Sequence, residues 1–499
     1  MSQELLSPAE ERFERIRKTT GFFLGPLLFL TLLLIPIPAL APAAHQLLAV
    51  QGWVVIFWVT EAIPLPATAL LGALLAVFLG VAPPKEVLAP FADPIVFLFL
   101  GSFILAEAIM IHGLHKRFAL AILSKRFASR GPSRVLLACG LITAVISMWI
   151  SNSATTAMML PVALGVLDAM SEVKSPGRRF ASGIMLMIAY GASVGGIGTP
   201  VGSPPNLIGI GFIQSLAGVK ITFFEWMLLT IPLLVVMYGV LFLILKILHP
   251  SQETDFKNLP DLARAAQSQH GGWNRGERNA FIAFCVAVLF WILPSLLALI
   301  YGKEHAFVHL VSSRLDESVV AVFAALLLFI LPINWRERQF TIGWSQAVRI
   351  DWGTLILFGG GLTLGKLMFS TGLAEFIGSQ LTEVTGVKSL WEVTGVAIAL
   401  SILVSEATSN TASASMIIPV MIALAKSAGI SPVPPALGAC LGASFGFMLP
   451  VSTPPNAIVY GSGRVPITAM IRVGVIFDIV GFFIIWGGLW VLCPIFGWS

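Results

Sequence analysis

The chain has 499 residues, of which 57% are hydrophobic and only 11% charged, with a mean hydropathy of +0.90. Roughly a quarter of a soluble globular domain is charged, so a soluble enzyme is a poor description of this composition. Cys139, Cys285, Cys440 and Cys493 lie far apart without Cys-x-x-Cys or Cys/His ligand spacing, which excludes a disulfide scaffold, a zinc site and an iron–sulfur site.

In chain order, residues 1–20 form a cytoplasmic N-terminus carrying Arg12, Arg15, Arg17 and Lys18. The apolar run 21–40 follows. Ala39-Leu40-Ala41 resembles a signal-peptide cleavage site, but the apolar core is longer than the usual h-region, so 21–40 reads as a retained first crossing. Runs near the roughly 20 residues that cross about 30 Å of hydrocarbon recur at 46–60, 64–82, 94–112, 181–215, 223–247, 279–301, 317–333, 352–370, 435–462 and 467–494. Together these make eleven crossings. Two further stretches, 135–170 and 391–425, are too long for one helix and carry polar knots, SNSATT at 151–156 and SNTASAS at 409–415. Both read as re-entrant hairpins. The hydrophilic segment 249–278 reads as a cytoplasmic linker between a first half, 44–248, and a second, 279–495.

With the N-terminus inside, 23 of the 30 Lys and Arg residues fall on the cytoplasmic face, six on the other, and Lys366 within a span. That is the asymmetry of the positive-inside rule, and it holds only if both hairpins are re-entrant. The net charge of +5 is therefore a topology signal rather than a nucleic-acid-binding surface.

The two halves repeat. SNSATTAMMLPV (151–162) falls on SNTASASMIIPV (409–420), GSPPN (202–206) on STPPN (452–456), and FLGSFILAEAIMIHGL (99–114) on FGGGLTLGKLMFSTGL (358–373). Each copy holds five crossings and a hairpin. Because five is odd, the copies lie in the membrane with opposite orientation, a signature of secondary transporters whose sites form between the repeats from broken helices.

A Ser-Asn-Ser/Thr run in hydrocarbon needs partners, because no water satisfies it. At a hairpin tip Ser and Asn serve as N-caps, and the following N–H groups and positive helix end attract an anion. Carbonyls freed from the preceding arm, with hydroxyl and amide oxygens, suit a small hard cation. The paired prolines of GTPVGSPPN and PVSTPPN break two helices opposite those tips. Other features are weaker. GGIGTPVG (195–202) lacks a preceding strand and a Walker lysine. His305 and His309 have no neighbouring Cys or carboxylate ladder. Glu107 and Lys366, charged residues within spans, fall on aligned positions and are second-tier candidates. Glu406 either stabilises a helix N-terminus or adds negative charge near a cation, and the sequence does not separate the two.

On these motifs the chain, from about 20 to 495, resembles the divalent anion:sodium symporters, which carry dicarboxylates, tricarboxylates or sulfate. The resemblance implies an all-α polytopic membrane protein of about eleven transmembrane helices and two re-entrant helical hairpins, in two inverted-topology repeats. It also implies a dimerising scaffold domain and a transport domain that moves as an elevator. One Na⁺ site would be formed by Ser147, Ser151, Asn152 and Gly202, and its repeat mate by Ser405, Thr408, Asn410 and Ser452. The anion would contact Asn152, Ser153 and Ser203 from one repeat and Ser409, Asn410, Thr411, Thr453 and Pro454 from the other. Ser153 stands where the family pattern has Thr, which keeps the hydroxyl and loses a methyl. No Lys or Arg lies within the four motifs. The expectation is a Na⁺-coupled symporter of C4-dicarboxylates such as succinate, malate or fumarate. It would be a homodimer in the lipid of a bacterial-type cytoplasmic membrane, with Na⁺ as coupling ion and no organic cofactor. The alternative is a dicarboxylate exchanger, or a citrate or sulfate transporter of the same fold. The sequence offers no Ser/His/Asp set or metal-ligand pair for a membrane enzyme.

Overall fold

The computed structural model describes residues 8–124, 131–171, 177–251, 271–302, 304–387 and 389–498. Most of the expected linker, 252–270, lies outside them, as do Lys125, Arg126, Arg130, Lys174, Lys257, Arg264, Lys303 and Lys388 from the charge count. Apart from a two-stranded antiparallel ribbon, Pro332–Asn334 with Gln339–Phe340, the regular structure of the described residues is helical.

The first helix, Pro8–Leu34, starts earlier than the apolar run and stops before Ile35-Pro36-Ile37-Pro38, where two prolines end it. Helices Pro42–Thr60, Leu65–Phe78 and Pro94–Ile111 follow, then a hairpin of Pro132–Ser147 and Asn152–Ser171. The long run at 181–215 is two helices, Arg178–Gly196 and Pro204–Phe212, with Phe223–Leu248 after it. The second half repeats this order. Arg275–Tyr301, Glu317–Ile330 and Trp352–Ser370 precede a hairpin of Leu390–Ala407 and Asn410–Ser427, the broken pair Val433–Gly442 and Pro454–Gly461, and finally Ile467–Leu492.

Among the described residues, eight helices are long and apolar enough to span a bilayer, one of them the hairpin arm Leu390–Ala407. The other seven, the shorter Leu65–Phe78 and Glu317–Ile330, and the two broken helices account for eleven crossings. Outward-facing apolar side chains such as Leu34, Phe78 and Ile247, each more than 70% exposed, are those of a surface solvated by hydrocarbon. Among the short helices that escaped the sequence reading are two at matching places in the repeats, Leu114–Leu123 and Leu373–Thr385. Each follows a glycine in the left-handed region, Gly113 (φ 75°) and Gly372 (φ 81°), at aligned points of the repeats.

The halves interlock. Pro94–Ile111 packs on Glu317–Ile330, and its repeat mate Trp352–Ser370 packs on Leu65–Phe78. Aligned glycines make both contacts: a Cβ on Gly101 would lie 2.4 Å from the Ala321 carbonyl carbon, and one on Gly360 would lie 2.6 Å from Ala69 Cβ. Small residues let helix backbones approach where apolar burial gives no drive against lipid. The inner elements exchange in the same way, Asn152–Ser171 against Pro454–Gly461 and Asn410–Ser427 against Pro204–Phe212. Each hairpin therefore holds the broken helix of the opposite repeat.

Because the atoms facing Gly101 are backbone, Gly101→Ala is expected to cost about 1–3 kcal/mol through overpacking. Gly165→Ala, whose Cβ would meet nothing within 4 Å, is expected to be neutral or stabilising by up to about 1 kcal/mol. Thermal unfolding of the two variants in detergent checks the contrast, and equal melting temperatures would contradict the close approach.

Candidate functional site

At both tips the serine caps the second arm: Ser151 Oγ accepts from Ala154 N at 3.3 Å and Ser409 Oγ from Ala412 N at 3.2 Å. The asparagines are not caps, contrary to expectation. Each begins the second arm and turns back across the tip, so that Ser147 Oγ donates to Asn152 Oδ1 and Ser405 Oγ to Asn410 Oδ1, both at 2.8 Å. This frees the first N–H groups of the arm and ties its start to the end of the preceding one.

Opposite each tip, the second half of a broken helix starts at Pro204 or Pro454, where a missing N–H costs no helical bond. The Asn two residues later was not singled out from the sequence, yet it organises the break. Asn206 Nδ2 donates to the carbonyls of Gly196 (2.7 Å) and Thr199 (2.8 Å), and Asn456 Nδ2 to those of Gly446 and Leu449 (both 3.0 Å). Both asparagines are completely buried. A side-chain amide replaces two helical donors, and this lets the chain stop and restart away from water.

The first cluster centres on Gly202. A Cβ there would lie 2.6 Å from the Gly196 carbonyl oxygen, 2.8 Å from that of Met148 and 3.0 Å from that of Ser147. Asn152 Oδ1 stands next to Gly196. Converging neutral oxygens of this kind suit a small hard cation. In the second cluster, Ser405 Oγ also contacts the Ala443 carbonyl (2.7 Å), and Ser452 Oγ donates to Glu406 Oε2 at 2.6 Å. Glu406 occupies the place that Met148 holds in the first repeat, and its Oε1 accepts from Phe447 N (2.5 Å) and Met448 N (2.8 Å). Thr408 is directed elsewhere, its hydroxyl donating to the Trp58 carbonyl at 3.0 Å. Among the described residues no group of three or more His, Cys, Asp or Glu is placed to hold a metal ion.

Between the tips lies a cavity of about 490 Å³ lined by Asn152, Ser153, Ser203, Ser409, Asn410, Thr411, Thr453 and Pro454, all eight residues expected to meet an anion. Ser151, Gly202 and Ser452 also reach it, whereas Ser147, Ser405 and Thr408 are buried behind its wall. Glu107, Arg349 and Asp351 also line it. Asp351 is committed to capping the helix that follows, accepting from Thr354 N (3.2 Å) and Thr354 Oγ1 (2.6 Å). Arg349 is the basic residue that motif reading missed; it sits in a connector with no local pattern to mark it. Lys366, aligned with Glu107, does not join the cavity and pairs with Asp93 at 3.6 Å.

Glu107 and Met110 at one end of helix Pro94–Ile111 line this cavity, while Pro94, Ile95 and Leu98 at its other end line a second of about 280 Å³. Lys220 spans the second cavity to Asp316 (3.0 Å) and Glu317 (3.6 Å). Burial works against the Lys220 charge, but Glu317 and Asp316 outweigh it and hold its pKa above the usual lysine value. The two cavities thus meet opposite ends of one helix, one reaching the motifs and the other crossed by ion pairs.

The family described as the sodium:sulfate symporter transmembrane region matches residues 17–497. The chain is 36% identical over 476 residues to the sodium-dependent dicarboxylate transporter SdcS of Staphylococcus saprophyticus, covering 93% of this chain and 89% of that one. It is 35% identical over 465 residues to SdcS of Staphylococcus aureus strain USA300, covering 91% and 87%. Among solved structures, the YdaH transporter of Alcanivorax borkumensis superposes with a TM-score of 0.56 at 15% identity, over 97% of this chain and 99% of that one. MtrF of Neisseria gonorrhoeae does so with 0.56 at 12% identity, over 95% and 97%. At these identities the two structures share the fold alone.

Gly202→Ala would place a methyl among the three carbonyl oxygens, so it is expected to abolish stabilisation by a small cation at the first cluster while the chain still folds. Asn206→Ala and Asn456→Ala each leave two buried carbonyls without their donor, a loss of about 1–3 kcal/mol. Detergent melting curves with and without NaCl read both effects; wild-type melting of the Asn variants would contradict their role.

Proposed function

The chain belongs to the sodium:sulfate symporter family, a family of transporters and not of enzymes, and on that premise we propose that it is a Na⁺-coupled symporter of C4-dicarboxylates such as succinate, malate or fumarate. The observation that carries this reading is the placement of eight hydroxyl, amide and backbone-presenting residues from both repeats around one cavity, with an oxygen cluster behind each tip. The names of the staphylococcal relatives support a dicarboxylate and Na⁺ as the transported species.

None of the four motifs contains a basic residue, so an anion between the tips is held by hydroxyls, N–H groups and the positive ends of the second arms. Na⁺ in the clusters fixes the tip geometry and offsets carboxylate charge. A dicarboxylate binds well only after the ions, and this is the thermodynamic content of coupling. Ser147, Ser151, Asn152 and Gly202 hold one ion; Ser405, Asn410 and Ser452 hold the other, with the backbone around Thr408 completing the set, since the Thr408 hydroxyl is engaged by Trp58. Ser153 and Thr411 face the substrate from opposite repeats. Arg349, which lines the same cavity from a connector, adds a positive charge that attracts the anion.

Arg349 lines the cavity between the tips and Lys220 the second cavity, and the charge asymmetry of the loops argues that the Arg349 side is cytoplasmic. The chain is then a multi-pass protein of the cytoplasmic membrane with its N-terminus inside. The hairpins and broken helices move together past the scaffold of Pro94–Ile111, Glu317–Ile330 and Trp352–Ser370, as an elevator within a homodimer.

Purified chain in substrate-free proteoliposomes is expected to accumulate labelled succinate under an inward Na⁺ gradient and not with choline outside. Asn410→Ala is expected to lose this Na⁺-dependent uptake. Accumulation that requires internal counter-substrate would replace symport by exchange, and stronger competition by citrate or sulfate than by malate would reassign the substrate.

A further inference from the structure

We propose that the two-stranded ribbon, Pro332–Asn334 with Gln339–Phe340, is a docking surface for an anionic phospholipid, with Arg336 and Arg338 holding the phosphate and an acyl chain lying along Glu317–Ile330. The inference does not depend on which anion the protein carries.

Three membrane helices meet at the ribbon: Arg275–Tyr301 begins there, and Pro94–Ile111 and Glu317–Ile330 end there. This sets it at the level of the lipid head groups. Hydrogen bonds from two of these helices and from His112 fix it in place. Asn279 Nδ2 donates to the Pro332 carbonyl (3.2 Å) and to Thr341 Oγ1 (2.8 Å), Arg275 Nη1 to the Ile333 carbonyl (3.1 Å), and His112 Nε2 to the Thr341 carbonyl (2.6 Å). The tip beyond these ties is Trp335-Arg336-Glu337-Arg338. It is closed by Arg336 N donating to Asn334 Oδ1 at 3.1 Å and by Arg338 N donating to the Trp335 carbonyl at 3.3 Å.

This rigid tip presents a cationic and aromatic surface. All four of its side chains are exposed; Trp335 is 70% exposed and Trp344, just past the second strand, 69%. Glu337 is the one carboxylate of the tip, against Arg336, Arg338 and the adjoining Arg275. Among the described residues neither Arg336 nor Arg338 has an ion-pair partner. Arg338 also stands at φ 50°, in the left-handed region where Gly or Asn is the cheaper residue. Turn geometry alone does not call for an arginine there, so its charge answers to something outside the fold.

An anionic phospholipid meets each of these features. Guanidinium groups match phosphate oxygens and keep their charge at any ordinary pH, and indole rings settle where head groups meet hydrocarbon. Directly below the ribbon, Phe323, Leu326 and Ile330 are exposed at spacings of three and four, which makes one apolar stripe on Glu317–Ile330. A phosphate at the two arginines therefore lays its acyl chain on that stripe. A second copy of the chain seated on this face about a two-fold axis would bring the same three arginines and the same single Glu337, a poor match of charge.

The test uses full-length detergent-solubilised protein, with melting temperature followed as phosphatidylglycerol or phosphatidylcholine of the same acyl chains is added to the micelles. Wild type is expected to melt higher with phosphatidylglycerol than with phosphatidylcholine. Arg336→Gln/Arg338→Gln is expected to need at least about tenfold more phosphatidylglycerol for the half-maximal effect, as two arginines at an anionic surface imply. Arg12→Gln/Arg15→Gln, which removes the same charge from exposed positions of the first helix, is expected to keep the wild-type response. Arg338→Gly separates charge from turn strain: it is expected to melt no lower than wild type without lipid and still to respond less to phosphatidylglycerol. A wild type indifferent to head-group charge, an unchanged response in the ribbon variant, or an equal loss in both double variants overturns the proposal. So does a ribbon variant that changes oligomeric state in detergent while its lipid response stays wild type, because a second copy then covers the face.

Discussion

The structure depends on one constraint: a chain that interrupts its helices within hydrocarbon must still satisfy every backbone donor and acceptor it releases. Four interruptions face one another here, two hairpin tips and two broken helices, and each is closed by a particular short side chain. Ser147 and Ser405 bond the asparagines that start the returning arms. Asn206 and Asn456 bond pairs of carbonyls seven and ten residues earlier. In the proposed function, carbonyl oxygens behind the tips, those of Gly196 and Met148 among them, keep a second lone pair for a cation beside the side-chain bond each already accepts, and N–H groups in front of the tips meet the anion. Binding so proposed needs no basic side chain in the motifs.

Interlocking of the two repeats turns four local solutions into one site. Each hairpin lies against the broken helix of the other repeat, so neither half assembles a complete cavity alone. The outer helices repeat the exchange through Gly101 and Gly360. Asymmetry enters where the repeats differ in single residues: Glu406 for Met148, Thr411 for Ser153, Lys366 for Glu107. The first of these places a carboxylate beside one cluster only, where it accepts from Phe447 N, Met448 N and Ser452 Oγ.

Much of the fold was legible because its signals are local. Apolar run length marked the spans, and a polar knot within an overlong run marked each hairpin. Matched blocks in the same order marked the repeat, and its odd number of crossings marked the inversion. Even the eight cavity-lining residues lie inside motifs of a few residues. What escaped depends on distant contacts or weak local patterns. Arg349 reaches the cavity from a connector, and Glu406 takes hydrogen bonds from Phe447 and Met448, 41 and 42 positions on. Thr408 sits within a motif, but Trp58, distant in sequence, takes its hydroxyl. Asn206 and Asn456 were visible as letters of the PPN motifs, yet their purpose is a hydrogen-bond pattern that only the bent chain discloses. The short helices after Gly113 and Gly372 were too brief and mixed in polarity to stand out.

If two inverted oxygen clusters hold cations while an anion lies between the tips, a density map of the full-length protein in lipid, prepared with NaCl and succinate and compared with one in choline chloride, shows them. Compact density is expected among the Gly196, Met148 and Ser147 carbonyls and beside Ser405, Asn410 and Ser452, with elongated density between Ser153 and Thr411. Succinate density away from both tips, or tips unchanged and clusters empty in NaCl, would contradict it.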